Sequence, residues 1–147
     1  MPCTANRVVL VGIALLLTAA AAGVVAQQKT VSASQAWVKV PAADQSLTEG
    51  FVVVDNPTMY DVYLVAAVTE AAGKVEFRDV SKPGGASAQV VKEVTVPAYG
   101  SLTMDPKGLH MVLSGLKRPL KDGDTIPLTL TTHEGSYMEV AATVKKE

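Results

Sequence analysis

Apolar and polar residues alternate in short runs along most of the chain, with the period of β-strands. From Thr30 onward, stretches rich in β-branched residues are separated by Pro, Gly, Asn or Asp at intervals of about 8 to 12 residues. No window has the 3.6-residue period of an amphipathic helix. The pattern predicts about nine strands, at residues 34–40, 50–55, 61–68, 74–80, 88–96, 101–105, 109–115, 125–132 and 137–144.

Short strands of this number and spacing predict an all-β domain, an antiparallel Greek-key sandwich or barrel. The intervening segments contain the residues that turns require, as in the stretches at 81–87, 97–100 and 105–108. Pro127 lies inside a predicted strand and has no N–H to donate. We therefore expect that strand to begin on an edge of the sheet.

The N-terminal residues have a different pattern. A single cation, Arg7, precedes an uncharged stretch from Val8 to Ala26 that ends in small residues. This arrangement predicts a secretory signal peptide at residues 1–26, cleaved after Ala26 or, as second choice, after Ala22, and a β-domain at residues 27–147. A permanent membrane anchor is the alternative, although the many Ala residues make the segment weakly hydrophobic for that role.

Composition narrows the class of protein further. The chain has 147 residues, of which 48% are hydrophobic and 18% charged, so that it can bury the core of one domain. Its net charge of −1 and the absence of a basic stripe with interleaved aromatics argue against nucleic-acid binding. The only cysteine, Cys3, lies in the predicted signal peptide, which implies a periplasmic or secreted domain without disulfides.

The residues of the domain do not support an enzyme. Neither of the two histidines lies in a motif with a nucleophile. Ser114 shares one side of a strand with His110 but lies roughly 13 Å away, at about 3.3 Å per residue, which is too far for a hydrogen bond. The chemistry that remains is a soft-metal site of imidazole and thioether groups, a ligand set suited to Cu(I).

The stretch GLHMVLSGLKRPLKDGDTIPLTLT at 108–131, preceded by GKVEFRDV at 73–80 and VTVPAYGSLTMDPK at 94–107, resembles the PCuAC-type periplasmic copper chaperones. The resemblance extends from AWVKVP at 36–41 to the last strand. It implies a cupredoxin-like fold. It also implies that the protein binds Cu(I) and passes it to a copper-acceptor protein, such as a cytochrome oxidase copper site.

The resemblance also implies where the metal ligands should be. Members of this family hold Cu(I) with a histidine, a strand methionine and a His-x-Met pair. Position by position, the first histidine falls on Arg78, with Phe77 as the close alternative, and the strand methionine on Ala88. The His-x-Met pair falls on His110 and Val112. His110 is thus the one remaining metal candidate, and the inherited site should be lost or much weakened, because a guanidinium has no lone pair to offer.

Met111 should not replace the missing methionine, because adjacent strand residues point to opposite faces. A turn at Asp105–Gly108 would pair residue 104 with 109 and residue 102 with 111. Met104 and Met111 would then lie on one apolar core face. Met59, in a loop, is the possible auxiliary ligand, although an exposed or half-buried loop position is its simpler interpretation. His133 should lie in solvent.

Two functions of different class follow from these observations. The first is a copper chaperone that binds Cu(I) and delivers it to a partner. The second is a paralogue with a degenerate copper site, acting as a non-enzymatic periplasmic binding or interaction module. The resemblance favours the first, and the replaced ligand positions favour the second.

Overall fold

Ten β-strands form the domain in the computed structural model, which describes residues 29–81 and 89–147. The predicted signal peptide lies outside these ranges. No helix in the described ranges is long and apolar enough to cross a membrane. The strands are β1 (Ser32–Lys39), β2 (Leu47–Asn56), β3 (Val62–Thr69), β4 (Ala72–Asp79), β5 (Gln89–Val91), β6 (Val94–Val96), β7 (Gly100–Thr103), β8 (Leu109–Leu116), β9 (Thr125–Thr132) and β10 (Tyr137–Lys145).

The strands follow the order β5-β4-β8-β2-β1-β10-β9-β3-β6, a nearly closed, barrel-like sheet. All pairs are antiparallel except β1 and β10, which run in the same direction, with Trp37 opposite Thr143. The all-β, cupredoxin-like fold class is therefore confirmed.

Alternation along each strand separates the barrel interior from its outer surface. In β2, Gly50, Val52 and Val54 are buried in the interior, whereas Glu49 and Val53 on the other face are only half-buried. Phe51 breaks this rule, because it belongs to the outer face and is nevertheless 1% exposed. The largest fully buried side chains include Leu64, Met111, Leu113, Ile126, Leu128 and Leu130.

The predicted strand at 88–96 is divided in two. β5 pairs with β4, whereas β6 pairs with β3 at the opposite end of the strand order. Lys92 and Glu93 lie between the two strands, where the chain leaves one edge for the other. Alternation alone predicts one strand here because the apolar pattern continues across the break.

The predicted pairing of β7 with β8 is wrong. Both strands pair with β2 on the same side, β7 with its C-terminal half and β8 with its N-terminal half. The turn at Asp105–Gly108 is present, with Gly108 N–H donating to the Asp105 carbonyl at 3.2 Å. It joins two segments that run in the same direction along β2, so residues 102 and 111 are not partners. The long β2 offers an antiparallel partner to both segments.

Candidate metal-binding face

His110 and Met111 lie in the first half of β8 and face opposite sides of the sheet. Met111 pairs with Gly50 on one side and Phe77 on the other, and its side chain is fully buried. His110 lies opposite Arg78 on the outer face and is 2% exposed. The prediction that the two side chains diverge and that Met111 belongs to the core agrees with this arrangement.

Hydrogen bonding fixes the tautomer of His110. Its Nδ1 lies 3.0 Å from the carbonyl oxygen of Gly108, which can only accept, so Nδ1 carries the proton. In the neutral ring Nε2 therefore has the free lone pair, and it lies 3.8 Å from Oε1 of Glu49. Metal-binding histidines are oriented in the same way, by donation of the other ring N–H to a carbonyl.

The ring of His110 is shielded by a row of outer-face side chains. The ring centroids of Phe51 and His110 are 6.2 Å apart, and those of Trp37 and Phe51 are 4.3 Å apart. Nζ of Lys39 lies 5.8 Å from the centre of the Phe51 ring. This cover leaves little of the imidazole in contact with solvent.

Charged side chains occupy the remaining positions around His110. Arg78 donates to Glu76 at 2.9 Å, and Lys74 forms a second ion pair with the same carboxylate. Lys74, and to a lesser extent Arg78, lower the pKa of Glu76 from its usual value. Glu49 and Glu76 both lie opposite Val112, one on each neighbouring strand. The position predicted for a methionine thioether is thus held by valine between two carboxylates.

Lys39 connects Glu49 to the end of the chain. Its Nζ is 3.0 Å from Glu49 and 2.7 Å from Glu147. The hydrogen bond to Glu147, followed by the contacts with Glu49, raises the pKa of Lys39. Glu49 is therefore held by a cation of the protein itself.

The donor set of this face does not fit a Cu(I) site of the predicted kind. Among the predicted positions that the structure describes, only His110 offers a ligand atom. Val112 is apolar, and Arg78 cannot coordinate a cation. The Nε of Arg78 is buried and has no hydrogen-bond partner within the described residues. Ala88 lies outside the described residues. Within residues 29–81 and 89–147, no group of three or more His, Cys, Asp or Glu side chains could hold a metal.

Met59 does not lie near His110. It is 61% exposed in the loop after β2, whose end is fixed by a hydrogen bond from Tyr99 N–H to the Thr58 carbonyl. His110 lies beside the middle of β2, roughly 15 Å or more away at about 3.3 Å per residue. The exposed-loop interpretation of Met59 therefore agrees with the structure, as does the solvent position of His133, whose side chain is 72% exposed.

Sequence reasoning missed Glu49 and Glu76 as neighbours of the candidate ligand. The alternation of Lys74, Glu76 and Arg78 along one strand was a usable signal, since side chains at i and i+2 share a face. No local signal could place Glu49, because its nearness to His110 depends on the pairing of β2 with β8.

Comparison with known sequences gives two matches over most of the chain. The sequence profile of a family described as "Putative lipoprotein LpqE-like" matches residues 31–144. A protein of Leifsonia xyli subsp. xyli, described as "Putative lipoprotein Lxx21020", is 36% identical over 138 residues. These cover 92% of this chain and 82% of that protein.

Comparison with solved structures identifies relatives of the same fold. The solution structure of Cu(I)-DR1885 from Deinococcus radiodurans is 34% identical, with a TM-score of 0.66, over 86% of this chain and 84% of that chain. The copper-bound PCuAC domain from PmoF2 has a TM-score of 0.70 at 16% identity, over 81% of this chain and 95% of that chain. The second similarity shows the fold alone.

Proposed function

The chain belongs to the LpqE-like family and is related to the PCuAC copper-chaperone domains, and from this premise we propose that it is an extracytoplasmic, non-enzymatic protein of the copper-chaperone type. The observation that carries the proposal is the 34% identity with the Cu(I)-bound protein DR1885 over most of both chains. The predicted signal peptide at residues 1–26 supports the location.

Cu(I) is the cargo that this ancestry favours, with delivery to a copper-acceptor protein such as a cytochrome oxidase. His110 would be the ligand, through the lone pair on Nε2. A site with few protein ligands suits transfer, because an incoming ligand of the acceptor can displace one already bound.

A second candidate is favoured by the face around His110. In this second candidate, the fold serves as a binding or interaction module that has lost its Cu(I) site. The ion pair of Arg78 with Glu76 and the valine at position 112 support this candidate, since neither Arg78 nor Val112 can hold the metal.

Competition for Cu(I) against a chelator of known affinity separates the two candidates. The second candidate, which the donor set favours, predicts that the unmodified protein binds Cu(I) too weakly to compete with a sub-nanomolar chelator. One equivalent bound at sub-nanomolar affinity and lost in His110→Ala would instead support the first candidate and refute loss of the site. His133→Ala is the matched control, because this second histidine is exposed and distant from the candidate face.

A further inference from the structure

The large apolar side chains that are most exposed gather at one end of the barrel. Within the described ranges, the four highest exposures are those of Tyr99 at 73%, Tyr60 at 72%, Tyr137 at 70% and Met59 at 61%. They lie on the loop after β2, the turn before β7 and the start of β10. Scattered single exposed residues need no explanation, but a cluster at one end of a molecule does.

The loops at this end are held in place by hydrogen bonds. The backbone N–H of Ala98 donates to Oδ1 of Asp61 at 2.9 Å, and that of Tyr99 donates to the Thr58 carbonyl at 2.9 Å. Tyr99 itself has a φ of 53°, a left-handed conformation that is unfavourable for a bulky residue. Burial of its side chain does not offset this strain, since the ring is mostly in solvent.

A pocket of about 510 Å³ opens between the loop after β2 and the β9–β10 turn. Tyr60 and Tyr137 line it, with Val62 and Met138 as further apolar walls. Pockets of this size are typical of small-ligand sites, and the mouths of barrels are among the places where such sites occur. The pocket is separate from the face around His110, because none of its lining residues belongs to β4 or β8.

The charges around this pocket select the class of ligand. Two carboxylates, Asp61 and Glu134, line it against one cation, Lys29. Glu134 forms no ion pair with any residue in the described parts of the chain. The faces of tyrosine rings carry partial negative charge and attract cations. An anion would meet two like charges and one opposite charge here, whereas an organic cation meets one like charge, two opposite charges and both tyrosine rings.

We propose that this pocket binds a ligand that carries an ammonium or guanidinium group. The rings of Tyr60 and Tyr137 contact the alkyl or planar part of the cation, and Glu134 supplies the opposite charge. The same chemistry belongs to a free organic amine and to a lysine or arginine side chain of a partner protein. The experiment therefore has one arm for each source.

In the first arm, choline is titrated into the ¹⁵N-labelled protein and compared with 3,3-dimethylbutanol, its neutral isostere. In the second arm, a blocked Gly-Arg-Gly tripeptide is compared with the same peptide containing citrulline, which is neutral. We expect the cationic probe of at least one arm to shift amide resonances of residues 58–62 and 132–138, and the neutral isosteres to shift none. The arm that responds identifies the source.

Glu134→Gln should weaken binding of the cationic probe about tenfold, and Tyr137→Leu should weaken it by a similar factor. Glu139→Gln is the matched control, since Glu139 is an exposed carboxylate on β10, two residues beyond Tyr137 and outside the pocket. Equal binding of a cation and its neutral isostere would overturn the proposal, as would shifts confined to other residues or no shift at millimolar probe. None of these outcomes bears on Cu(I) binding, which is measured separately.

Discussion

At the scale of single residues, two neighbours in β8 have opposite roles. Met111 is enclosed by the core, whereas His110 lies on the outer face beneath Phe51. Two other methionines also differ in burial, since Met104 is 4% exposed and Met59, in a loop, is 61% exposed. A thioether that points into the core, as that of Met111 does, is thus a packing group, whatever its chemical affinity for copper.

Truncation of the buried methionine should destabilise the protein strongly. Met111→Ala removes a fully buried side chain next to Gly50 and Phe77, and we expect it to lower the free energy of unfolding by about 2 to 5 kcal/mol. Met59→Ala is the matched control, with an expected change within about 0.5 kcal/mol. Urea denaturation followed by circular dichroism measures both. Equal stability of the two variants would contradict the core role of Met111.

At several positions, the alternation of apolar and polar residues along a single strand was enough to predict which side chains are buried. It identified Met104 and Met111 as core residues even though the pairing assumed for them was wrong, because the face of a side chain depends on its own strand. It could not predict that Phe51 is buried on the outer face. That burial comes from Trp37 and Lys39 on a neighbouring strand, and their contact requires the sheet order.

At the scale of strands, the pairing of β4 with β8 determines what the candidate face can bind. The register places Arg78 opposite His110 and Glu76 opposite Val112. The resemblance predicted that Arg78 lies near His110, since it placed these two positions among the ligands of one ion. The positions of Arg78 and His110 are therefore neighbours, as two ligands of one ion would have to be.

Replacement of these side chains should restore Cu(I) binding. In Arg78→His with Val112→Met, an imidazole and a thioether join His110 on one face, and the guanidinium charge is removed. We expect Cu(I) affinity to rise by more than about 100-fold, the upper end of what a residue behind the ligands contributes. Chelator competition measures the change.

The matched control for this double variant is Arg78→Lys with Val112→Leu, which changes the same positions without adding a ligand. It should leave Cu(I) affinity unchanged. If the His and Met variant gained no more than this control, ligand atoms at these positions would not be sufficient to form a Cu(I) site with His110.

The strand assignments show where pattern reading succeeds and where it fails. The prediction for Pro127 agrees with the structure, because β3 pairs only from Leu128 onward and leaves the start of β9 without a partner on that side. The predicted hairpin of β7 and β8 failed because a turn motif specifies the local bend but not which strand lies beside it. β2 competes for both segments and pairs with each.

At the scale of the whole molecule, the last strand holds a central place in the sheet. β10 lies between β1 and β9 and buries Ala142 and Val144. The fold class could be predicted from the number and spacing of strands, but this order could not, since a parallel pair of first and last strands leaves no mark on local alternation. The resemblance to a known family supplied the cupredoxin-like architecture instead.

Removal of β10 should prevent folding. A chain ending at Gly135 leaves β1 and β9 without their shared partner, so we expect circular dichroism without a cooperative thermal transition and rapid digestion by trypsin. A chain that lacks only Lys146 and Glu147 is the control. It loses the ion pair between Glu147 and Lys39, which is exposed to solvent, and should lose no more than about 1 kcal/mol. Cooperative unfolding of the shorter chain would show that β10 is dispensable.

The pairing of β1 with β10, in which Trp37 lies opposite Thr143, also determines when the domain can complete its fold. A chain that crosses a membrane from its N-terminus delivers β1 early and β10 last, and contacts so far apart in sequence form slowly. In the exported protein that we propose, the edge of β1 that pairs with β10 stays unpaired after β1 has crossed the membrane, until β10 has crossed as well. The sheet of such an exported protein is therefore completed only after β10 has crossed the membrane, so folding of the domain is coupled to the end of its export.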